Sequence, residues 1–214
     1  MPCLQGRASK DGVPHGAEPL SRLFPPTRFA VIGNEAVVAI ETPRLRLRTF
    51  RAGDLAHFVA MNADPTVMAH LGGPMSPEAS LAMAEVIEHA FLAERVGMIA
   101  VERRADETFL GIAGLNRLAW YPDDLEVGWR LLPAHWGRGY ATEAGRAWLG
   151  YAFCRHGVAR VISVADVPNR RSRAVMERLG LQLDHIASLQ EGEDRFEAAV
   201  HAITRAEWEH QPAS

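Results

Sequence analysis

The sequence predicts an α+β (α/β) fold, a mixed sheet with helices on both faces. Several short segments alternate apolar and polar residues, the mark of half-buried strands. Others carry apolar residues at helical spacing behind clear start signals. Their order reads β-αα-βββ-α-β-α-ββ, neither segregated nor strictly alternating, and a mixed sheet covered on both sides accommodates it. At 214 residues, 48% of them hydrophobic, the chain is long enough to bury one core without covalent staples.

Residues 1 to 28 are rich in Gly, Pro and small polar residues and show no period. Residues 1–36 are therefore expected to form a flexible extension, and 37–210 a single domain. The runs FAVI and AVVAI, split by Gly33 and Asn34, have the layout of an extra hairpin. RLRLRTF at 44–50 alternates strictly, with Leu45 and Leu47 on one face and arginines on the other. Asp54 is placed to cap a short helix through Met61 that stops near Asp64-Pro65. Ser76 followed by Pro77 opens a longer helix to Arg95.

Strands follow at Met98–Arg103 and Phe109–Leu118, joined by a polar turn at 105–107. Another spans Leu125–Leu132, with Val127, Trp129 and Leu131 on one face and Glu126, Gly128 and Arg130 on the other. HWGRGYATEA, residues 135–144, then leads into a helix to Arg155, whose apolar stripe is Ala144, Ala147, Trp148, Tyr151 and Ala152. RVISVAD reads as a strand and RRSRAVMERLG as a helix closed by Gly180. A strand pair, Gln182–Ser188 and Phe196–Thr204, and a short helical tail complete the domain.

Composition narrows the function. The net charge of −3 implies no nucleic-acid partner. No stretch has the length of a membrane span, and no signal-type apolar region opens the chain. The two cysteines, Cys3 and Cys154, are not in a CxxC pair, so a reducing, cytoplasmic setting without a disulfide framework is expected. No His, Cys or carboxylate set has metal-ligand spacing, and HExxH is absent. A GxSxG elbow is absent too.

A strand, then Gly137-Arg138-Gly139, then a helix suits an anion. The first amides of a helix lack intrahelical partners and point outward, and the helix dipole adds positive potential there. Glycines remove the Cβ atoms that hold a phosphate away. The same spacing also serves as a plain tight turn. The GxxxxGK[ST] pattern lacks its lysine here, and the GxGxxG pattern has Thr142 in place of its third glycine.

LEVGWRLLPAHWGRGYATEAGRAWLGYAF, then VPNRRSRAVMERLGL, with TPRLRLRTF upstream, resembles the GNAT superfamily of N-acetyltransferases. The likeness is to the branch of the Rim-type ribosomal-protein alanine acetyltransferases and covers roughly residues 40 to 208. It implies a strongly twisted sheet splayed between the strands at 125–132 and 160–166, with acetyl-CoA as cosubstrate in the opening. In that family the pyrophosphate rests on [Q/R]xxGx[G/A], here Trp136-Gly137-Arg138-Gly139-Tyr140-Ala141. Trp136 stands where Gln or Arg is the common choice, which removes one polar contact. Thr142 continues the amide cradle. Gly128 marks either a bulge that spreads the strands or a close contact.

The resemblance also implies an activity: transfer of an acetyl group to a primary amine, on a protein N-terminus or a small molecule, by direct attack in a ternary complex. Glu126 is the candidate base; its competing role is a solvated or salt-bridged carboxylate, with Arg130 as partner. Backbone amides at Leu131 and Leu132 are candidates to hold the carbonyl oxygen. Asn169 and Ser172 form the NxxS pattern, Asn169 toward pantetheine or a bound water and Ser172 near the sulfur; both also suit a plain helix start. Arg171 and Arg173 are candidates for the 3′-phosphate or adenine end. Glu143 is assigned to the helix dipole, and His135 to a loop. Trp120, Tyr121 and the segment His70–Met75 are candidates for the acceptor wall. Glu78, Glu85 and Glu88 face either a cationic acceptor or water. A non-catalytic acyl-CoA-binding module is the alternative function, and a homodimer contact through the N-terminal segment stays open.

Overall fold

The structure, a computed structural model, describes residues 36–191 and 194–211. Eight strands form one sheet: β1 (Val38–Glu41), β2 (Leu45–Arg48), β3 (Met98–Arg103), β4 (Thr108–Leu118), β5 (Tyr121–Leu131), β6 (Arg160–Asp166), β7 (Gln182–Glu191) and β8 (Asp194–Thr204). Their order across the sheet is β1-β2-β3-β4-β5-β6-β8-β7. All neighbours are antiparallel except β5 and β6. The helices are α1 (Leu55–Ala63), α2 (Pro65–Met68), α3 (Pro77–Glu94), α4 (Tyr140–Tyr151), α5 (Arg170–Arg178) and α6 (Arg205–Glu209).

Both faces of the sheet are covered, so its central strands bury both sets of side chains. In β3, Ile99 and Val101 join the core under α4, where Trp148 is fully buried. Ala100 points to the second core, with Phe58 and Met61 of α1 and Ala84 of α3. Ser76 caps α3 by accepting from the Ala79 N–H at 3.2 Å, with Pro77 in the first turn.

Several expectations are corrected. The AVVAI run forms β1, which pairs with β2; FAVI lies outside the described residues, as does nearly all of the 1–36 segment. The Asp54 side chain makes no capping bond to the helix from Leu55. It accepts instead from Arg48 at 2.6 and 3.0 Å and from the Arg51 N–H. The helix ends at Ala63, as expected, with Asp64 in an extended conformation; that carboxylate then accepts from the Thr66 N–H at 2.7 Å and starts α2. β5 begins at Tyr121 rather than Leu125, so β4 and β5 meet in a tight hairpin with Leu118 paired to Tyr121. The helix from Tyr140 changes to a wider π turn over Ala152–His156 before Gly157. Cys154 lies on this π turn; the chain's other cysteine, Cys3, lies outside the described residues. The alternation in RLRLRTF places the leucines in the core, but Arg48 is buried too, at 1% exposure.

One feature of the topology makes the site. β5 and β6 run parallel and pair only at Leu125–Val161 and Glu126–Ile162. Beyond that point β5 continues to Leu131 and β6 to Asp166 without pairing to each other.

Candidate functional site

A cleft of about 980 Å³ occupies this fork, within the size range of small-molecule sites. Its edge follows from the β4–β5 ladder. The Leu132 N–H donates to the Leu110 carbonyl at 2.9 Å, and the register pairs Ile112 with Arg130 and Gly114 with Gly128. Antiparallel residues alternate in the edge to which they turn their backbone groups. The N–H groups of Trp129 and Leu131 therefore turn away from β4, toward the opening. Leu131 is placed as expected for a donor; Leu132 is not, because its N–H is spent on Leu110. Trp129 joins Leu131 instead, a residue that only the register reveals. The register runs unbroken through Gly128, so it makes no bulge. A Cβ there would sit 3.2 Å from the Met98 sulfur, so close contact is what the position requires.

At the wide end lies the turn before α4. Gly137 and Gly139 have φ of +72° and +79°, the left-handed region that glycine adopts without steric cost. Nothing lies within 4 Å of a Cβ at Gly137. The first helical bond runs from the Glu143 N–H to the Gly139 carbonyl, so the amides of Tyr140, Ala141 and Thr142 precede the ladder and remain available. Gly137, Gly139 and those three residues line the cleft. Trp136 also lines it and anchors the turn, its indole N–H donating to the Leu131 carbonyl at 2.7 Å. The Arg171 guanidinium stacks 4.7 Å above the Trp136 ring. Arg138 is exposed and outside the lining; its carbonyl accepts from Arg44. Glu143 fixes the turn to the β1–β2 connection, accepting from the Thr42 hydroxyl and the Arg44 side chain, both at 2.6 Å.

Glu126 sits at the apex of the fork, 9% exposed. It accepts from Asn116 Nδ2 at 3.3 Å and from the Val164 N–H at 3.4 Å. Burial pushes its pKa up to about 7, against the two hydrogen bonds that favour the anion. Arg130 is not its salt-bridge partner; that guanidinium donates to Asn62 Oδ1 at 2.6 Å. Asn169 caps α5 by accepting from the Ser172 N–H at 3.1 Å, and both residues line the cleft. Arg173 turns to the Val167 carbonyl and lies outside the lining.

The remaining wall comes from segments far apart in sequence. His70 and Leu71 line it, while 72–75 do not. His70 Nδ1 is 2.8 Å from Asp166 Oδ2, a contact across the cleft mouth. Trp120 lines the wall, packed edge-on against Phe196. Tyr121 does not, its hydroxyl being 3.0 Å from His185 Nε2. Glu78, Glu85 and Glu88 are outside the lining; burial pushes the Glu88 pKa up while it accepts from the Phe50 N–H. His135 sits in a single 3₁₀ turn at the cleft rim. Sequence reasoning missed Asn116, Ser163, Val164, Asp166 and Phe196 as lining residues. Among the described residues no group of His, Cys, Asp and Glu side chains is suited to hold a metal ion. No described helix is long and apolar enough to cross a membrane.

Comparison with known proteins agrees with this geometry. Residues 44–182 match the family model of the acetyltransferase (GNAT) domain. The uncharacterised N-acetyltransferase YoaA of Bacillus subtilis is 26% identical over 149 residues, 69% of this chain and 84% of that protein. The FsC-acetyl coenzyme A-N(2)-transacetylase of Aspergillus fumigatus is 36% identical over 104 residues, 44% of this chain and 41% of that protein. Among solved structures, a GNAT-family acetyltransferase from Bacillus anthracis superposes with a TM-score of 0.68 at 23% identity, covering 77% of this chain and 97% of that one. RimL, a ribosomal L7/L12 α-N-protein acetyltransferase, gives 0.67 at 16%, covering 79% and 94%. With the family model spanning most of the chain, this protein belongs to the GNAT acetyltransferases, enzymes that take their acetyl group from acetyl-CoA.

Proposed function

We propose that the chain acetylates a primary amine by direct attack within a ternary complex, with Glu126 as the general base. The observation that carries this reading is a buried carboxylate with a pKa near 7 at the apex of the fork. A base is most effective when its pKa lies near the working pH. An α-amine, with a pKa of about 8, is within reach of such a group; a lysine amine near 10.4 is a harder case.

The diphosphate of acetyl-CoA rests on the amides of Gly137, Gly139, Tyr140, Ala141 and Thr142, and the pantetheine arm runs along the open edge of β5. The amine lone pair attacks the thioester carbon while one of its protons passes to a Glu126 carboxylate oxygen. Charge gathers on the carbonyl oxygen, where the N–H of Trp129 or Leu131 stabilises it. The C–S bond then breaks. A thiol of ordinary pKa near 8.5 departs largely as thiolate, so no strong acid is required. Ser172, which lines the cleft, serves in this reading to hydrogen-bond that sulfur. No nucleophilic side chain is needed, and Cys154 lies on the π turn, not in the cleft lining.

Release of CoA thiol in the presence of a panel of small amines and N-terminal peptides tests the reading. Steady, amine-dependent release supports it. Tight acetyl-CoA binding with no release for any acceptor would replace the enzyme with an acyl-CoA-binding module.

A further inference from the structure

With the cleft read as an acetyl-transfer site, a cation in its wall has a buried nitrogen without a partner. Arg130 lies four residues beyond Glu126 on the same face of β5, roughly 13 Å along the strand. It lines the cleft. Its Nη1 donates to Asn62 Oδ1 at 2.6 Å, while its Nε is buried without a partner. Burial alone acts on the group and pushes its pKa down to about 10. Neither Arg130 nor Glu126 shifts the other.

A guanidinium taken out of water needs an anion or full hydrogen bonding. This fold supplies both elsewhere: Arg48, buried at 1% exposure, is met by Asp54 at 2.6 Å and Glu102 at 2.7 Å. At Arg130 it supplies only a neutral amide. Asn62 is wholly buried in α1, and its backbone carbonyl accepts from the Met75 N–H at 2.9 Å. It therefore holds the guanidinium in position without neutralising it. Such an oriented, undercharged fork matches a carboxylate, which accepts two parallel N–H bonds.

We infer that Arg130 determines acceptor specificity by binding the carboxylate of a primary amine whose nitrogen lies at Glu126. The acceptor class is then a dipolar one, an amino acid or short peptide with a free carboxyl group. Glu126 receives the amine end and Arg130 the acid end. CoA phosphates are the other anions in the cleft, but the amides at 137–142 already face them from beyond Trp136. The inference rests on the acetyltransferase reading above, and the test keeps the two separable.

The experiment compares glycylglycine with glycylglycinamide, and γ-aminobutyrate with its amide, as acceptors at equal free-amine concentration. The expected result is a preference for each acid in kcat/KM of about tenfold or more, carried mainly by KM. Arg130→Met abolishes that preference, and Arg130→Lys retains part of it. Asn62→Asp, which keeps the shape and supplies an internal counter-ion, abolishes it too and serves if Arg130→Met does not fold. CoA affinity by calorimetry stays within about twofold in all three variants. Equal use of acid and amide by the unmodified protein overturns the inference, as does CoA binding with no turnover of any of the four amines. A tenfold loss of CoA affinity in Arg130→Met also overturns it, assigning the cation to the phosphates. Failure of the unmodified protein to bind CoA sinks the acetyltransferase reading itself.

Discussion

The Glu126 carboxylate spans the point where the sheet divides, 3.4 Å from the Val164 N–H on β6 while its own backbone belongs to β5. The last paired residues of the two strands are Glu126 and Ile162. The side chain thus takes up a backbone donor that the opening of the ladder releases. A charge at this place is desolvated by the surrounding strands, and that desolvation dominates its raised pKa.

Glu126→Gln tests the catalytic half of this relationship. The unmodified enzyme is expected to gain activity as pH rises through about 7, where the carboxyl ionises. The variant loses that limb of the profile, and kcat falls by about 10²–10⁴-fold. Calorimetric affinity for CoA does not change. An unaltered pH profile would remove Glu126 from the mechanism.

The same substitution has a stability signature with the opposite sign. A carboxyl with a higher pKa folded than unfolded binds more protons in the folded state. Stability then falls as pH rises from 4.5 to about 7 and is flat above, by an amount on the order of 1–3 kcal/mol. Gln carries no such dependence. Melting temperatures for the two proteins should converge at pH 4 and separate at pH 8, with the variant higher. A variant less stable than the parent at pH 8 contradicts a desolvated charge.

Gly139→Val probes the cradle. A β-branched residue at φ +79° incurs a steric cost of about 1–2 kcal/mol, and its Cβ would stand 3.4 Å from Arg44 Nη2. The turn relaxes by moving the amides that face the diphosphate. KM for acetyl-CoA should rise by at least about tenfold, with kcat much less affected. Steady-state kinetics at saturating acceptor separates the two. A fall in kcat at constant KM would place Gly139 outside cofactor binding.

These tests also mark what the chain reveals in one dimension. Alternation at Val127, Trp129 and Leu131 shows a strand face, and Ser76-Pro77 shows a helix start, because both signals are local. Gly137-Arg138-Gly139 marks the bare turn for the same reason. The burial of Arg48 is not legible, since a period of two assigns a face but not what covers it. His70 and Asp166, 96 positions apart, meet only through tertiary packing. Arg130 and Asn62 are 68 apart and meet the same way. Leu132 and Leu131 look alike in sequence. Only the β4–β5 register shows which of them turns its N–H to the cleft.

Trp136→Phe examines how the cleft edge is held. The ring remains for Arg171 to stack on, but the hydrogen bond to the Leu131 carbonyl is lost. One such bond contributes about 1 kcal/mol, and the Leu131 carbonyl is left without that donor. The end of β5 should loosen, so acetyl-CoA affinity drops by about fivefold. Amide exchange at Leu131 and Leu132 should quicken at the same time. Tight binding with unchanged exchange would show the indole nitrogen to be dispensable.

Glu102→Gln tests the buried charge cluster behind the site. Glu102 is fully buried and accepts from Arg46, Arg48 and Arg51, each at 2.7 Å. Replacing one partner leaves three guanidinium groups facing a neutral amide, and breaking such a buried pairing costs about 3–5 kcal/mol. The loss should appear as a lower denaturant midpoint with an unchanged slope. Because the pairs with Arg48 are out of solvent, salt at 0.5 M should recover little of it. Near-complete recovery by salt, or a loss below about 1 kcal/mol, would mean that the cluster behaves as a surface network and does not hold β2, β3 and the start of α1 together.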